Sequence, residues 1–204
     1  MREDPSSTSC DDGPDAIGGR TIRIVSGDMR RFVGLAGVAV AVLVLVTARL
    51  FVWPSAGSPT SADAVVIFAG GRGERLARAQ QLMADGLASN LVIPNGTAPE
   101  WPAGNAACRE DRPYAVFCPV PDPDTTQGEA RAIAGLAQTR GWSRVILVTS
   151  TYQATRADLL LGRCFEGDIQ RVRAHPGLSA FAWAQRVAHE LLAWTHAMTI
   201  ERGC

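Results

Sequence analysis

The sequence predicts an α/β domain, with a mainly parallel sheet and helices on both faces, preceded by one transmembrane helix. Three observations lead there. From Phe32 to Ala48 the chain carries no charge for 17 residues. Beyond Ala62, short runs of Val, Ile and Leu alternate with segments whose apolar residues recur at helical spacing. The runs are continuous rather than alternating, as in strands covered on both faces. Alternating β and α units imply right-handed crossovers and a parallel sheet.

The 204 residues accommodate one ordinary domain with some chain left over. Twenty basic and twenty acidic residues cancel. No global field recruits nucleic acid, which is excluded as a partner on that ground.

In chain order, residues 1–31 are polar and rich in Ser, Gly and Asp, and read as a disordered cytoplasmic tail. Residues 32–53 form the transmembrane helix, spanning about 33 Å at helical rise. Arg49 lies near its end, where the long side chain can snorkel, and Trp53 fits an interfacial anchor. A buried core helix is one alternative, but such helices rarely lack a polar face over this length. A cleaved signal peptide is another. Against it stand the lead of 31 residues and the lack of a convincing Ala-x-Ala site after the apolar core. Arg20, Arg23, Arg30 and Arg31 precede the span, whereas Arg49, near its far end, is the only further basic residue before Arg72. The positive-inside rule therefore puts the N-terminus in the cytoplasm and the domain outside.

The cysteines divide the same way. Cys10 precedes the span, and Cys108, Cys118, Cys164 and Cys204 follow it, an even number for an oxidising compartment. Three pairings are possible. The local one joins Cys108 to Cys118 and leaves Cys164 with Cys204; buried free thiols are the alternative. No Cys-x-x-Cys occurs, so no metal site is expected.

Residues 54–61, PSAGSPTS, read as a linker, and 62–204 as the domain. Ala64–Ala69 is the first strand, followed by Gly70, Gly71 and a helix to about Gly86 with Leu76, Ala79 and Met83 on one stripe. Leu91–Ile93 is the second strand, closed by Pro94 and an Asn95-Gly96 turn. Thr97–Tyr114 is an irregular stretch, and Ala115–Cys118 a third strand. A helix then runs to about Arg140, with Ala130, Ile133, Ala134 and Ala137 on one face. Val145–Val148 is the fourth strand, followed by a helix carrying Ala154, Ala157, Leu161 and Cys164. Ile169–Ala174 is the fifth strand and 179–200 the last helix.

In such sheets ligands bind beyond the carboxyl ends of the strands. After the first strand come Gly70, Gly71, Arg72 and Arg75, a glycine turn into a helix start that suits an anion. It lacks the third small residue of the dinucleotide fingerprint, and no phosphate-binding Gly-Lys-Ser/Thr occurs. Asn95 follows the second strand. After the third, Thr125 or Thr126 can cap a helix with Glu129 in its first turn. After the fourth, Ser150 and Tyr152 lead into a helix bearing Arg156. Convergence of Arg75, Glu129, Ser150 and Arg156 would make a cleft for a phosphate or carboxylate, with Glu129 the candidate acid/base. Ser150 lies in no Gly-x-Ser-x-Gly elbow. His189-Glu190 starts like a zinc helix but has Ala193 where the second ligand belongs. His175 has no evident partner.

These pieces together resemble the YdcF/SanA/ElyC family, built on domain of unknown function 218. The matching elements are Asp63–Ile67 running into Gly70-Gly71, Glu74-Arg75-Leu76 with Ala79, and Gly86-Leu87-Ala88. Further on stand Thr126-x-x-Glu129-Ala130 and Val148-Thr149-Ser150-x-Tyr152-x-x-x-Arg156-Ala157. The resemblance covers Ala62 to about Ala174 and implies a Rossmann-like domain, often membrane-tethered. It also implies a ligand site at the residues matching Arg75, Glu129, Ser150 and Arg156, and a role in cell-envelope or lipid-carrier metabolism. Many members have His where this chain has Gln153. The expected function is binding, with hydrolysis or transfer, of an anionic small molecule or lipid-carrier head group. No cofactor is assigned. A non-catalytic sensing or scaffolding module is the alternative.

Overall fold

The structure, a computed structural model, describes residues 21–70 and 73–204. Gly71, Arg72 and the first twenty residues of the expected tail lie outside the described residues. The chain divides into two units, Met1–Val44 and Leu45–Cys204.

Helix α1 (Thr21–Phe51) runs through the apolar segment. Among the described residues, its stretch Met29–Phe51 is the one helix long and apolar enough to cross a membrane. Side chains from Phe32 to Val46 are exposed rather than packed in a core. The helix starts at Thr21, inside the segment read as a tail. Extending an existing helix adds one hydrogen bond per residue without a new nucleation cost, so polar residues continue it.

In the second unit, β1 (Ala64–Ile67), β2 (Asn90–Val92), β3 (Ala115–Phe117), β4 (Arg144–Ser150) and β5 (Asp168–Ala174) form one sheet in the order β3-β2-β1-β4-β5. Every pairing is parallel. This is the Rossmann-like α/β fold, and the strand order reverses between β1 and β4. Residues two apart share a face, so the apolar run of β1 feeds two cores. Ala64, Val66 and Phe68 pack with Ile133 and Ala137 of α4 (Thr126–Arg140) and with Ala157, Leu160 and Leu161 of α5 (Ala154–Cys164). Val65 and Ile67 pack with Leu76, Ala79, Leu82 and Met83 of α2 (Glu74–Ala84). At the amino edge of the sheet, the Asp63 carboxylate accepts the Ser143 and Arg144 N–H groups at 2.8 and 2.9 Å. The Arg144 and Ser143 N–H groups hold its carboxyl below the usual range. Asp63 thus registers β1 beside β4, at the end opposite the cleft.

Two segments differ from expectation. Within Thr97–Tyr114 lies a helix, α3 (Pro102–Arg109). Pro102 pre-sets its first turn, while Gly104 and Ala107 are its buried residues. A side chain at Gly104 would stand 2.6 Å from the Trp101 ring, so that packing requires glycine. The linker is also held rather than free. The Gly57 N–H donates to Arg171 O at 3.2 Å, and the Thr60 N–H to Gln170 Oε1 at 2.6 Å, along β5. Phe51 is fully buried, and the Thr155 hydroxyl donates to Leu50 O.

Cys108–Cys118 and Cys164–Cys204 are disulfide-bonded, with Cα separations of 6.2 and 4.7 Å. The second closes a loop of 40 residues around α6 (Ala180–Thr199), the first a loop of 10. Loop-closure entropy gives about 4 kcal/mol for the longer and about 3 for the shorter. The Cys164→Ser/Cys204→Ser pair should therefore lower the urea midpoint more than Cys108→Ser/Cys118→Ser. Denaturation of the two double variants without reductant checks the order.

Candidate functional site

The carboxyl ends of β1 and β4 meet at the reversal in strand order, and the charged residues gather there. Gly70 turns the chain out of β1 at φ 91°, a conformation that favours glycine. A Cβ there would meet Arg75 Nη1 at 3.6 Å, so the guanidinium lies against the turn. Arg75, in the first turn of α2, is only 2% exposed. Its Nη1 donates to Phe68 O at 2.9 Å and to Ala69 O at 2.5 Å. Its Nε donates to Ser150 Oγ at 2.6 Å, and the Ser150 hydroxyl donates to Glu74 Oε1 at 2.6 Å.

Opposite, the β1 end offers the Ala69 N–H to Glu129 Oε1 at 2.8 Å. Thr125, not Thr126, caps α4: its Oγ1 accepts the Gly128 N–H at 3.2 Å. Gly128 is required, because a Cβ there would stand 1.8 Å from Pro123 O. The loop can therefore press onto the helix start and set Glu129 one residue on. Burial pushes the Glu129 carboxyl up from 4.5 to about 7. The Ala69 N–H, Arg75 and Arg156 hold it down against that effect, and Asp124 adds to the rise.

Thr126 and Arg156 meet each other, through Arg156 Nη1 donating to Thr126 Oγ1 at 2.6 Å. The rest of Arg156 grips Glu190 of α6 with two bonds, Nε–Oε2 at 2.8 Å and Nη2–Oε1 at 2.9 Å. Glu190 is 3% exposed. Sequence reading assigned it no role, although it is the one acidic side chain of an otherwise apolar packing face that also carries Ala197. Tyr152 points elsewhere: its ring packs edge-on against Trp183 at 6.0 Å, under the Arg186 guanidinium. Gln153 is buried in the 3₁₀ turn Thr151–Gln153. His175 has a partner after all, with Nδ1 3.1 Å from Thr151 Oγ1.

Beside this cluster lies a cavity of about 270 Å³ lined by Ala69, Gly70, Asn95, Ala98, Glu100 and Trp101. Asn95, at φ 54°, donates through Nδ2 to Asp124 Oδ1 at 3.2 Å, joining the second and third loops. Trp101 and Glu100 were missed because they fall in the stretch read as irregular. Among the described residues no three His, Cys, Asp or Glu side chains form a metal-binding group.

Fold and site together define a Rossmann-like α/β domain with a buried carboxylate at its switch point. In comparisons with known proteins, no family model, no curated protein and no solved structure matches the chain.

Two outcomes follow. A carboxyl whose pKa is raised on folding binds its proton more tightly in the folded state. The stability this adds is complete below about 4.5 and is lost as pH rises through about 7. The difference is on the order of 3 kcal/mol, and urea unfolding of Glu129→Gln against the parent, at pH 5 and pH 8, checks that the substitution flattens this slope. Arg156→Ala strands a buried carboxylate and should cost about 3–5 kcal/mol. Arg156→Ala/Glu190→Gln should recover much of that loss in the same assay.

Proposed function

We propose that the chain is a membrane-anchored member of the YdcF/SanA/ElyC family whose domain binds an anionic cell-envelope metabolite and hydrolyses or transfers it. The observation that carries this reading is Glu129 at the switch point, bonded to the N–H of Ala69, which lines the cavity, with its carboxyl pushed up to about 7 by burial. At neutral pH both of its forms are populated. The neutral form donates a hydrogen bond to a phosphoryl or carboxyl oxygen, and the ionised form takes a proton from attacking water or hydroxyl. Arg75 and Arg156 already hold protein oxygens. The anion is therefore met by the amino end of α2 and by Gly70, with the two guanidiniums supplying field rather than direct contact.

In this reading α1 crosses the membrane once. Arg20, Arg23, Arg30 and Arg31, ahead of its apolar stretch, keep residues 1–31 in the cytoplasm, and the two disulfides suit a domain in an oxidising compartment. The commitment of Arg75 and Arg156 to protein partners favours a second reading, in which the domain senses its ligand or scaffolds envelope synthesis without turnover.

Thermal-shift measurement of the full chain in detergent, against phosphorylated sugars, lipid-carrier head groups and nucleotides, separates the readings. Under the first, Glu129→Gln retains the ligand-induced shift and loses turnover of that ligand at least tenfold, in keeping with general acid–base contributions of about 10²–10⁴. A shift with no turnover in either protein selects the sensing module. A shift given by nucleotides alone overturns both.

A further inference from the structure

Helix α6 is twenty residues long, yet only Glu190 and Ala197 of it are buried. Those two lie on one side, Glu190 against Arg156, and Ala197 with its carbonyl bonded by Arg163. The opposite side carries Phe181, Ala184, Ala188, Leu191, Leu192 and Thr195, recurring at intervals of three and four. All are exposed, Phe181 at 73% and Leu192 at 74%. No charge interrupts this face; Gln185, Arg186, His189 and His196 lie along one flank. Its hydroxyls turn inward. Thr195 Oγ1 donates to Leu191 O at 2.7 Å and Thr199 Oγ1 to Thr195 O at 2.8 Å. A side chain that returns its proton to its own helix asks nothing of the medium it faces.

This face is continuous with the point where α1 ends. Val52 shares with Trp183, Ala184, Val187 and Ala188 an apolar depression of about 500 Å³. Trp53 next to it is exposed. The linker is pinned to β5, and Thr155 holds Leu50 O. The first half of α6 is therefore held beside the residues that leave the apolar helix.

We propose that the outer face of α6 is a second membrane contact, seated in the headgroup region of the bilayer beside α1. An amphipathic helix of this kind lies with its apolar face about 5–10 Å into the boundary between headgroups and acyl chains. The occupant is lipid rather than a second copy of the chain, because the face runs without a break into the residues that follow the span. The inference rests on α1 crossing the membrane.

The test uses the full chain in vesicles of phosphatidylethanolamine and phosphatidylglycerol. Cys10→Ser removes the fifth thiol, and Phe181→Cys, Leu192→Cys, Val40→Cys or Gln138→Cys supplies one site for a nitroxide, labelled without reductant. Accessibility to oxygen and to a water-soluble nickel chelate is read at each. The expected result is an oxygen-to-nickel ratio at 181 and 192 several-fold above that at 138, and in the direction of that at 40. Ratios at 181 and 192 equal to that at 138, with 40 lipid-like, overturn the α6 contact and leave the anchor standing. A water-like value at 40 overturns the anchor and the contact with it. Protection of 181 and 192 from both agents, with dipolar broadening, assigns the face to a second copy and overturns the lipid contact.

Discussion

The site depends on one clasp, the Arg75 guanidinium closed over the end of β1. It takes the carbonyls of Phe68 and Ala69 with one nitrogen and Ser150 at the end of β4 with another. Each charge-assisted bond of this kind contributes on the order of 1.5–3 kcal/mol. More consequential is what they orient. With its two carbonyls drawn towards Arg75, the end of β1 presents the Ala69 N–H to Glu129. Without the clasp, the Ala69 N–H would lose the orientation in which it meets Glu129.

Among the described residues of the cleft, the arginines are committed to partners, while Glu129 is balanced between opposing influences. Arg156 is neutralised by Glu190, and Ser150 relays Arg75 to Glu74. Glu129 receives the Ala69 N–H and feels two guanidiniums through space, against burial and the nearby Asp124. A group so balanced responds to whatever fills the adjoining cavity. An arriving anion would push its proton affinity up, and a cation would pull it down. The same balance makes Glu129 sensitive to changes at residues that act on it only through space, Arg75, Asp124 and Arg156.

The sheet was legible because β1 and β4 are buried on both faces and leave unbroken apolar runs, Ala64–Ala69 and Val145–Val148. The two disulfide pairs were among the three pairings that the cysteine positions allowed. Glu129, Arg75, Ser150, Thr126 and Arg156 could be placed at the carboxyl edge from strand order alone. Their pairings could not. Glu190 stands 34 residues from Arg156, and no local pattern reports a contact that only tertiary packing creates. Helix α3 escaped because it has only eight residues and the ones it buries, Gly104 and Ala107, carry almost no apolar side chain. Tyr152 follows Ser150 by two positions, but the intervening 3₁₀ turn directs its ring to Trp183 rather than to the cavity. The linker read as free coil because its attachment uses Gly57 N–H, a group every non-proline residue has.

The two ends of α5 have a mechanical meaning. Its first turn receives the end of α1 through Thr155 and Leu50, and its last residue is the covalent partner of Cys204. Tension applied between Leu50 and Cys204 would therefore reach α5 at both of its ends. Helix α6 lies inside the closed ring, off the load path, and would not be the first element to unravel. The Arg156–Glu190 pair ties the first turn of α5 to α6 inside the loop that the Cys164–Cys204 bond closes.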